Sequence, residues 1–425
     1  MKNVLFIPVN SIQAEIFVRI AKQLPNNKIK VKFFILDKIY AKRYPNYLVE
    51  PILQRESYEY FPIEKIEKKY LERALMKENP SLIVNSQDAM EPIIKLLMQI
   101  AEKNSIPGLV IQDAFIFWLD PPYCPVEQKQ AKTIFEKLSA ITRDARFIFS
   151  ILNYGNNWSI RVQRIVQRIK EILNGESTRW GDGVYSKIAV MGDYTKGMLV
   201  ARNIPESKIF ITGQPRWDDF VQSSMNFDRS ALCKKFGLDP DKKIILMTTQ
   251  PLVESRMWSE QEREFFIISI SNALSRTPEY SLIIKIHPRE KKQVYEDILR
   301  NNKLNGKCKL FIKENIHELL FCCDVLLTHV CTTALEAMLI KKPVISVDFK
   351  VPTKNIPYVK SGAAIGIDHP TQLANSVDRL LYDTKYHSSF DECRDKFIYD
   401  CAFLQDGKST ARLVKLIESM IDIER

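Results

Sequence analysis

Five histidines occur in the 425 residues, and one of them, His287, precedes a proline at the end of the apolar run SLIIKIHPRE (281–290). Proline fixes its own φ and biases the residue before it toward extended backbone. The imidazole is thereby held at a strand end, where it can donate a hydrogen bond to a phosphate oxygen. Lys285 and Arg289 add positive potential beside it. The plainer reading is a strand stopped by a turn, with His287 merely exposed. A second feature strengthens the functional one. DVLLTHVCTTALEAMLIKKPVISV (324–347) reads as strand, loop, helix, strand, with Thr332 and Thr333 at the helix start. Hydroxyls and unsatisfied N–H groups at a helix N-terminus make an anion cradle at the positive end of the dipole. Glu336 completes an S/T-x-x-E capping box with Thr333. Alternatively it turns to a ribose hydroxyl, and sequence does not separate the two roles.

Carboxylates that could act as acid or base stand near the ends of the early apolar runs. Asp113 follows GLVI, Asp88 follows SLIVN, and Glu15 follows the first strand–helix turn. A helix N-cap or a surface carboxylate is the competing reading for each. The one D-x-D, Asp239-Pro240-Asp241, lies in a polar turn before a strand and is read as a turn, not a metal site. Eight cysteines are scattered without a C-x-x-C pair, so a cysteine-held metal is not expected, and a reducing compartment is.

Positioning these residues falls to alternating elements. Strands are expected at 4–9, 31–36, 81–85, 106–114, 187–192, 242–249, 281–286, 308–312, 324–328 and 343–347. Helical stretches lie between them, among them 12–24, 64–78, 91–103, 260–276, 290–301, 315–322 and 333–340. This rhythm predicts parallel sheets with right-handed crossovers. The fold class is α/β, as two doubly wound Rossmann-like domains facing across a cleft, with ligands at the carboxyl ends of the strands. Residues 1–213 form the first, with an insertion at about 115–185 where the rhythm breaks. Residues 214–408 form the second, and 409–425 a closing amphipathic helix near the domain junction. Gly213 and Pro215 mark the crossing.

At 45% hydrophobic and 27% charged residues the chain has the balance of a globular protein. No run of 18 apolar residues occurs. The charge of +11 is unevenly spread: residues 1–215 hold 31 Lys and Arg against 22 Asp and Glu, and the rest hold 31 against 29. A basic first half suits an anionic acceptor or an anionic membrane surface. The segment WSIRVQRIVQRIKEIL (158–173) sets apolar residues against Arg161, Arg164, Arg168 and Lys170 and fits such a surface. An ordinary helix packed on the first domain is the simpler reading. No basic-and-aromatic binding motif points to nucleic acid.

KIHPRE, the TTALEAMLIKKPVI block and the closing FLQDGKSTARLVKLI helix resemble the second domain of GT-B glycosyltransferases of the bacterial surface-polysaccharide type. That group includes sialyl-, polysialyl- and Kdo-transferases and the CDP-glycerol glycerophosphotransferases. ITGQPRWD resembles the group's interdomain link. The resemblance implies that His287, Thr332 and Thr333 hold the donor phosphates, without a metal or a further cofactor, the nucleotide-sugar being a substrate. Lys285, Arg289, Glu336, Gln250 and Ser409 complete the nucleotide-side set. The stretch 79–114 is similar to that of non-hydrolysing UDP-N-acetylglucosamine 2-epimerases. Their signatures are missing, however: there is no R-P-E after the first strand, and TTQPLVESR stands where a His-Arg pair is expected.

The implied activity is inverting transfer of a sugar from a CMP- or UDP-activated donor to a growing cell-surface glycan or lipid-linked acceptor. The expected location is the cytoplasm, peripheral to the inner face of the cell membrane. Such a reaction needs a base for the acceptor hydroxyl and stabilisation of the departing phosphate. Asp113 is the leading base, with Asp88 next, and His287 serves the leaving group. Transfer of glycerol or ribitol phosphate from a CDP-alditol is the alternative, followed by an epimerase-like enzyme and a nucleotide-sugar binder without turnover.

Overall fold

The computed structural model describes residues 1–40, 48–87, 91–115, 180–255, 257–275 and 277–422. Asp88, most of the expected insertion and the basic segment 158–173 lie outside the described residues. The chain forms two compact units. One holds the described residues up to Asp218 together with those from Cys401 onward, and the other runs from Asp219 to Asp400.

In the first unit seven parallel strands are described: β1 (Lys2–Phe6), β2 (Ile29–Ile35), β3 (Tyr60–Pro62), β4 (Leu82–Asn85), β5 (Gly108–Ile111), β6 (Lys187–Val190) and β7 (Ile209–Ile211). Their spatial order is β3-β2-β1-β4-β5-β6-β7. Both faces of the sheet are covered, which is why the strands read as continuous apolar runs rather than alternating ones. Val4 and Phe6 of β1 join one core with Phe17, Phe33 and Val84. Leu5 and Ile7 point the other way, toward Phe34, Ile83, Ile94 and Leu97. The last helix, Ser409–Met420, buries Leu413, Val414, Leu416 and Ile417 in the first of these cores.

The second unit repeats the plan with β8 (Lys243–Thr248), β9 (Tyr280–Lys285), β10 (Cys308–Phe311), β11 (Val325–Thr328), β12 (Val344–Val347) and β13 (Ile365–Ile367), all parallel. The order is β10-β9-β8-β11-β12-β13. Strand order therefore reverses at β1/β4 in one unit and at β8/β11 in the other. In an open doubly wound sheet the crevice at that switch point is where ligands bind. The ten strands expected from sequence all form, most of them trimmed at one or both ends. The three outside those ten, β3, β7 and β13, are three-residue edge strands, too short to carry a periodic signal.

Candidate functional site

His287 sits where β9 ends, and its backbone N–H donates to Thr249 Oγ1 (2.9 Å) and Glu290 Oε2 (3.3 Å). The turn closes on the ring: Arg289 N–H donates to His287 Nδ1 at 3.1 Å. A backbone N–H can only donate, so Nδ1 is the acceptor and the ring hydrogen belongs to Nε2. Burial, with Arg289 and Lys285 close by, pushes the imidazole down to about 3. At neutral pH it is an uncharged hydrogen-bond donor, suited to an anion and unsuited to taking a proton. Lys285 donates its Nζ to Ile312 O (2.7 Å), and burial lowers its proton affinity. Its ammonium is thus anchored at the end of β10.

Sequence reasoning passes over Glu290, which organises this turn. The side chain is buried and accepts from the hydroxyls of Thr249 and Tyr295, the latter at 2.5 Å. The Arg263 guanidinium lies 3.7 Å away. Burial raises the carboxyl to about 7 despite these partners. The available signal was its position three residues after His287, from which a carboxylate can fold back on a turn's N–H groups.

At the other side of the switch point, helix Thr332–Leu339 begins at Thr332, with Cys331 as its N-cap. The expected capping box does not form. Thr333 is the second helical residue rather than the cap, so Glu336 lies past the first turn. Glu336 is instead buried, 3.4 Å from His317 Nε2. Cys331 Sγ meets Thr328 Oγ1 at 2.9 Å and Thr248 Oγ1 at 3.7 Å, tying the ends of β8 and β11 together. Thr332 and Thr333 therefore open the helix at the switch point, as expected. Gln250 follows β8 and lines a small pocket with Thr248, Thr249, Trp258, Arg263 and His329.

His329 is the second residue that sequence reasoning missed. It is buried, with Nε2 2.6 Å from Asp348 Oδ2, and its carbonyl accepts from Ser346 Oγ (2.5 Å) and Tyr358 OH (3.2 Å). Burial alone would raise Asp348. The hydrogen bond and charge of His329, with the N–H groups of Lys350 and Val351, outweigh it and hold the carboxyl below its usual range. The loop leading into helix Thr332–Leu339 is pinned by this pair. A histidine between an apolar strand and a threonine pair was its only sequence mark.

In the first unit, Asp113 stands just past β5. Gln13 Nε2 donates to its Oδ2 at 2.8 Å. Burial raises the carboxyl above its ordinary value, while Gln13, the residue's own N–H and Arg216 act the other way. A partly buried carboxylate with raised proton affinity is a better base toward a hydroxyl than an exposed one. Glu15 is exposed on helix Ser11–Ala21. Ser409 opens the last helix, but its N–H donates to Asp218 Oδ1 (2.9 Å) and that of Thr410 to Oδ2 (2.8 Å). A carboxylate thus occupies the N-terminus of this helix. Gly213, at φ +78°, leaves room for this helix; a Cβ there would meet Ser409 Oγ at 2.5 Å. Asp239 Oδ1 accepts from Asp241 N–H at 3.0 Å, the Asx turn read from the sequence.

The profile of one family, CDP-Glycerol:Poly(glycerophosphate) glycerophosphotransferase, matches residues 162–419. The chain belongs to this family. It is a transferase of the glycosyl- and glycerophosphate-transferring kind, and the matched span contains His287, Thr332, Thr333, Glu336 and Ser409, with Asp113 upstream of it. Among solved structures, the Neisseria meningitidis UDP-GlcNAc 2-epimerase bound to UDP-GlcNAc is similar at 13% identity and a TM-score of 0.62, covering 98% of this chain and 100% of its own. The wall teichoic acid polymerase TagF is similar at 12% identity and 0.57, over 99% of this chain and 89% of its own. A glycosyltransferase from Rickettsia africae matches at 14% and 0.55, over 100% and 99%. These likenesses show the fold, which is GT-B. No curated protein matches the glycerophosphotransferase-family chain.

Proposed function

We propose that this transferase moves an alditol phosphate from a CDP-activated donor to a hydroxyl of a cell-surface polymer, releasing CMP. The observation that carries the reading is the family match across 162–419. It favours alditol-phosphate transfer over the sugar transfer that the sequence puts first. In this reading the acceptor oxygen attacks the phosphorus that carries the alditol, and Asp113 takes the hydroxyl proton. The bond from that phosphorus to the bridging oxygen breaks, and the electron pair leaves with CMP. Charge accumulating on the departing phosphate meets the Nε2–H of His287 and the N-terminus of helix Thr332–Leu339. His287 suits this role because a neutral donor stabilises the anion without competing for the acceptor proton. Gln250 and Glu336 are assigned to the nucleotide side, and Lys285 and Arg289 contribute positive potential.

The test is a donor panel: CDP-glycerol, CDP-ribitol, and CMP-, UDP- and GDP-sugars, each with a short poly(glycerophosphate) acceptor, read as release of free nucleotide. CMP from a CDP-alditol is expected. Turnover of a UDP- or CMP-sugar with the CDP-alditols inert would overturn the reading in favour of glycosyl transfer.

A further inference from the structure

Three glutamines converge on the segment Gln112–Ala114, and all three are buried: Gln13 at 0%, Gln112 at 1% and Gln214 at 1% exposure. Each has its amide oxygen pinned by a backbone N–H. Val9 N–H donates to Gln13 Oε1 (2.8 Å), Met191 N–H to Gln112 Oε1 (2.9 Å), and Arg216 N–H to Gln214 Oε1 (3.4 Å). An amide whose oxygen is committed must present its NH2 at the opposite edge. Those edges all face the end of β5. Gln13 donates to the Asp113 carboxylate (2.8 Å), Gln214 to the Asp113 carbonyl (3.0 Å), and Gln112 to the Ala114 carbonyl (2.9 Å). None of these amides can flip without setting N–H against N–H and oxygen against oxygen.

We propose that Gln13, Gln112 and Gln214 form an amide clamp that positions Asp113 as the base, with Gln13 setting its proton affinity. The assignment rests on the reading of Asp113 as the base of alditol-phosphate transfer. Gln214 and Gln112 hold the backbone of the strand end, which fixes where the carboxylate points. Gln13 holds Oδ2, which fixes the rotation of the carboxylate. The charged group facing Asp113 among the described residues is Arg216, which favours the carboxylate as Gln13 does. Removing the Gln13 donor leaves burial less opposed and raises the proton affinity of Asp113. Placing a carboxylate there raises it further, through like-charge repulsion.

The experiment compares wild type with Gln13→Leu, Gln13→Glu and Gln214→Leu. The titration midpoint of Asp113 is read from its carboxyl signal in 13C-aspartate-labelled protein, assigned with Asp113→Asn. The pH profile of CMP release from CDP-glycerol onto poly(glycerophosphate) is measured in parallel. The midpoint is expected to rise by about one pH unit in Gln13→Leu, the worth of a hydrogen bond to a charged group, and further in Gln13→Glu. The acid limb of the rate profile moves with it, turnover recovers at alkaline pH, and KM for CDP-glycerol stays unchanged. Gln214→Leu lowers kcat without moving the midpoint. A midpoint unmoved in both Gln13 variants overturns the proposal, as does an equal rise in Gln214→Leu. Gln13→Glu is nearly isosteric and keeps the test open if Gln13→Leu does not fold. Retained turnover in Asp113→Asn would remove the base assignment instead, leaving the carboxyl titration to judge the clamp.

Discussion

At His287 the distinction between a neutral and a charged ring decides what chemistry is available. The N–H of Arg289 on Nδ1 and the depressed proton affinity make the ring a constant donor over the physiological range. The residue that does titrate there is Glu290, with a folded value near 7. An acid whose value is raised on folding stabilises the fold fully below its unfolded value, near 4.5, and loses that contribution as pH rises toward 7. The loss amounts to about 3 kcal/mol. Glu290→Gln is therefore expected to flatten the fall in stability between pH 4.5 and 7, measured as urea midpoints at pH 5 and 7.5. A variant with the same fall as wild type would show that the carboxyl does not titrate in this window. His287 was legible as a site residue because proline marks it. Glu290 was not, because nothing local says that a carboxylate in a polar turn is buried.

Among the elements, two helix starts are built differently. Helix Thr332–Leu339 begins at a cysteine cap that makes no side-chain cap bond, at the switch point of its sheet. Helix Ser409–Met420 begins on the carboxylate of Asp218, which takes the N–H groups of Ser409 and Thr410 and the Thr410 hydroxyl. A carboxylate at that position satisfies orphan N–H groups and opposes the dipole. Asp218→Ala should destabilise the transition that includes the first unit by about 1–2 kcal/mol, seen as a lower urea midpoint with donor turnover per folded molecule preserved. A midpoint equal to wild type would mean that water replaces the cap without cost. Sequence marks both starts through Ser and Thr, but the cap partner of one lies 191 residues away along the chain.

For the whole molecule, the proposed division of labour is the testable property: donor binding assigned to the second unit, proton removal to the first. CDP that binds only the folded protein stabilises it by about 2.7 kcal/mol at a hundredfold excess over Kd. Asp113→Asn should keep that thermal shift while CMP release is lost. His287→Ala should weaken CDP binding by roughly 10–100-fold, the worth of a hydrogen bond to a charged group. Loss of the shift in Asp113→Asn, or full CDP affinity in His287→Ala, would refute the division.

Sequence alone determined the alternation of strands and helices, because buried parallel strands must be apolar runs and the crossovers between them must be helical. It also determined the strand-end placement of His287, through the backbone restriction of proline, and the helix start at Thr332. Only the tertiary structure decided which of these ends meet. The order β10-β9-β8-β11-β12-β13 sets Thr249, His287, Cys331 and Thr332 around one switch point, and no local pattern encodes which strands are neighbours. The partners of His329 and Glu336, each 19 residues away, and Gln13 and Gln214 around Asp113, 100 and 101 residues away, likewise come from other elements of the chain. Hydrogen bonds between buried groups depend on burial and direction, which a sequence of residue types does not carry until the sheets are assembled.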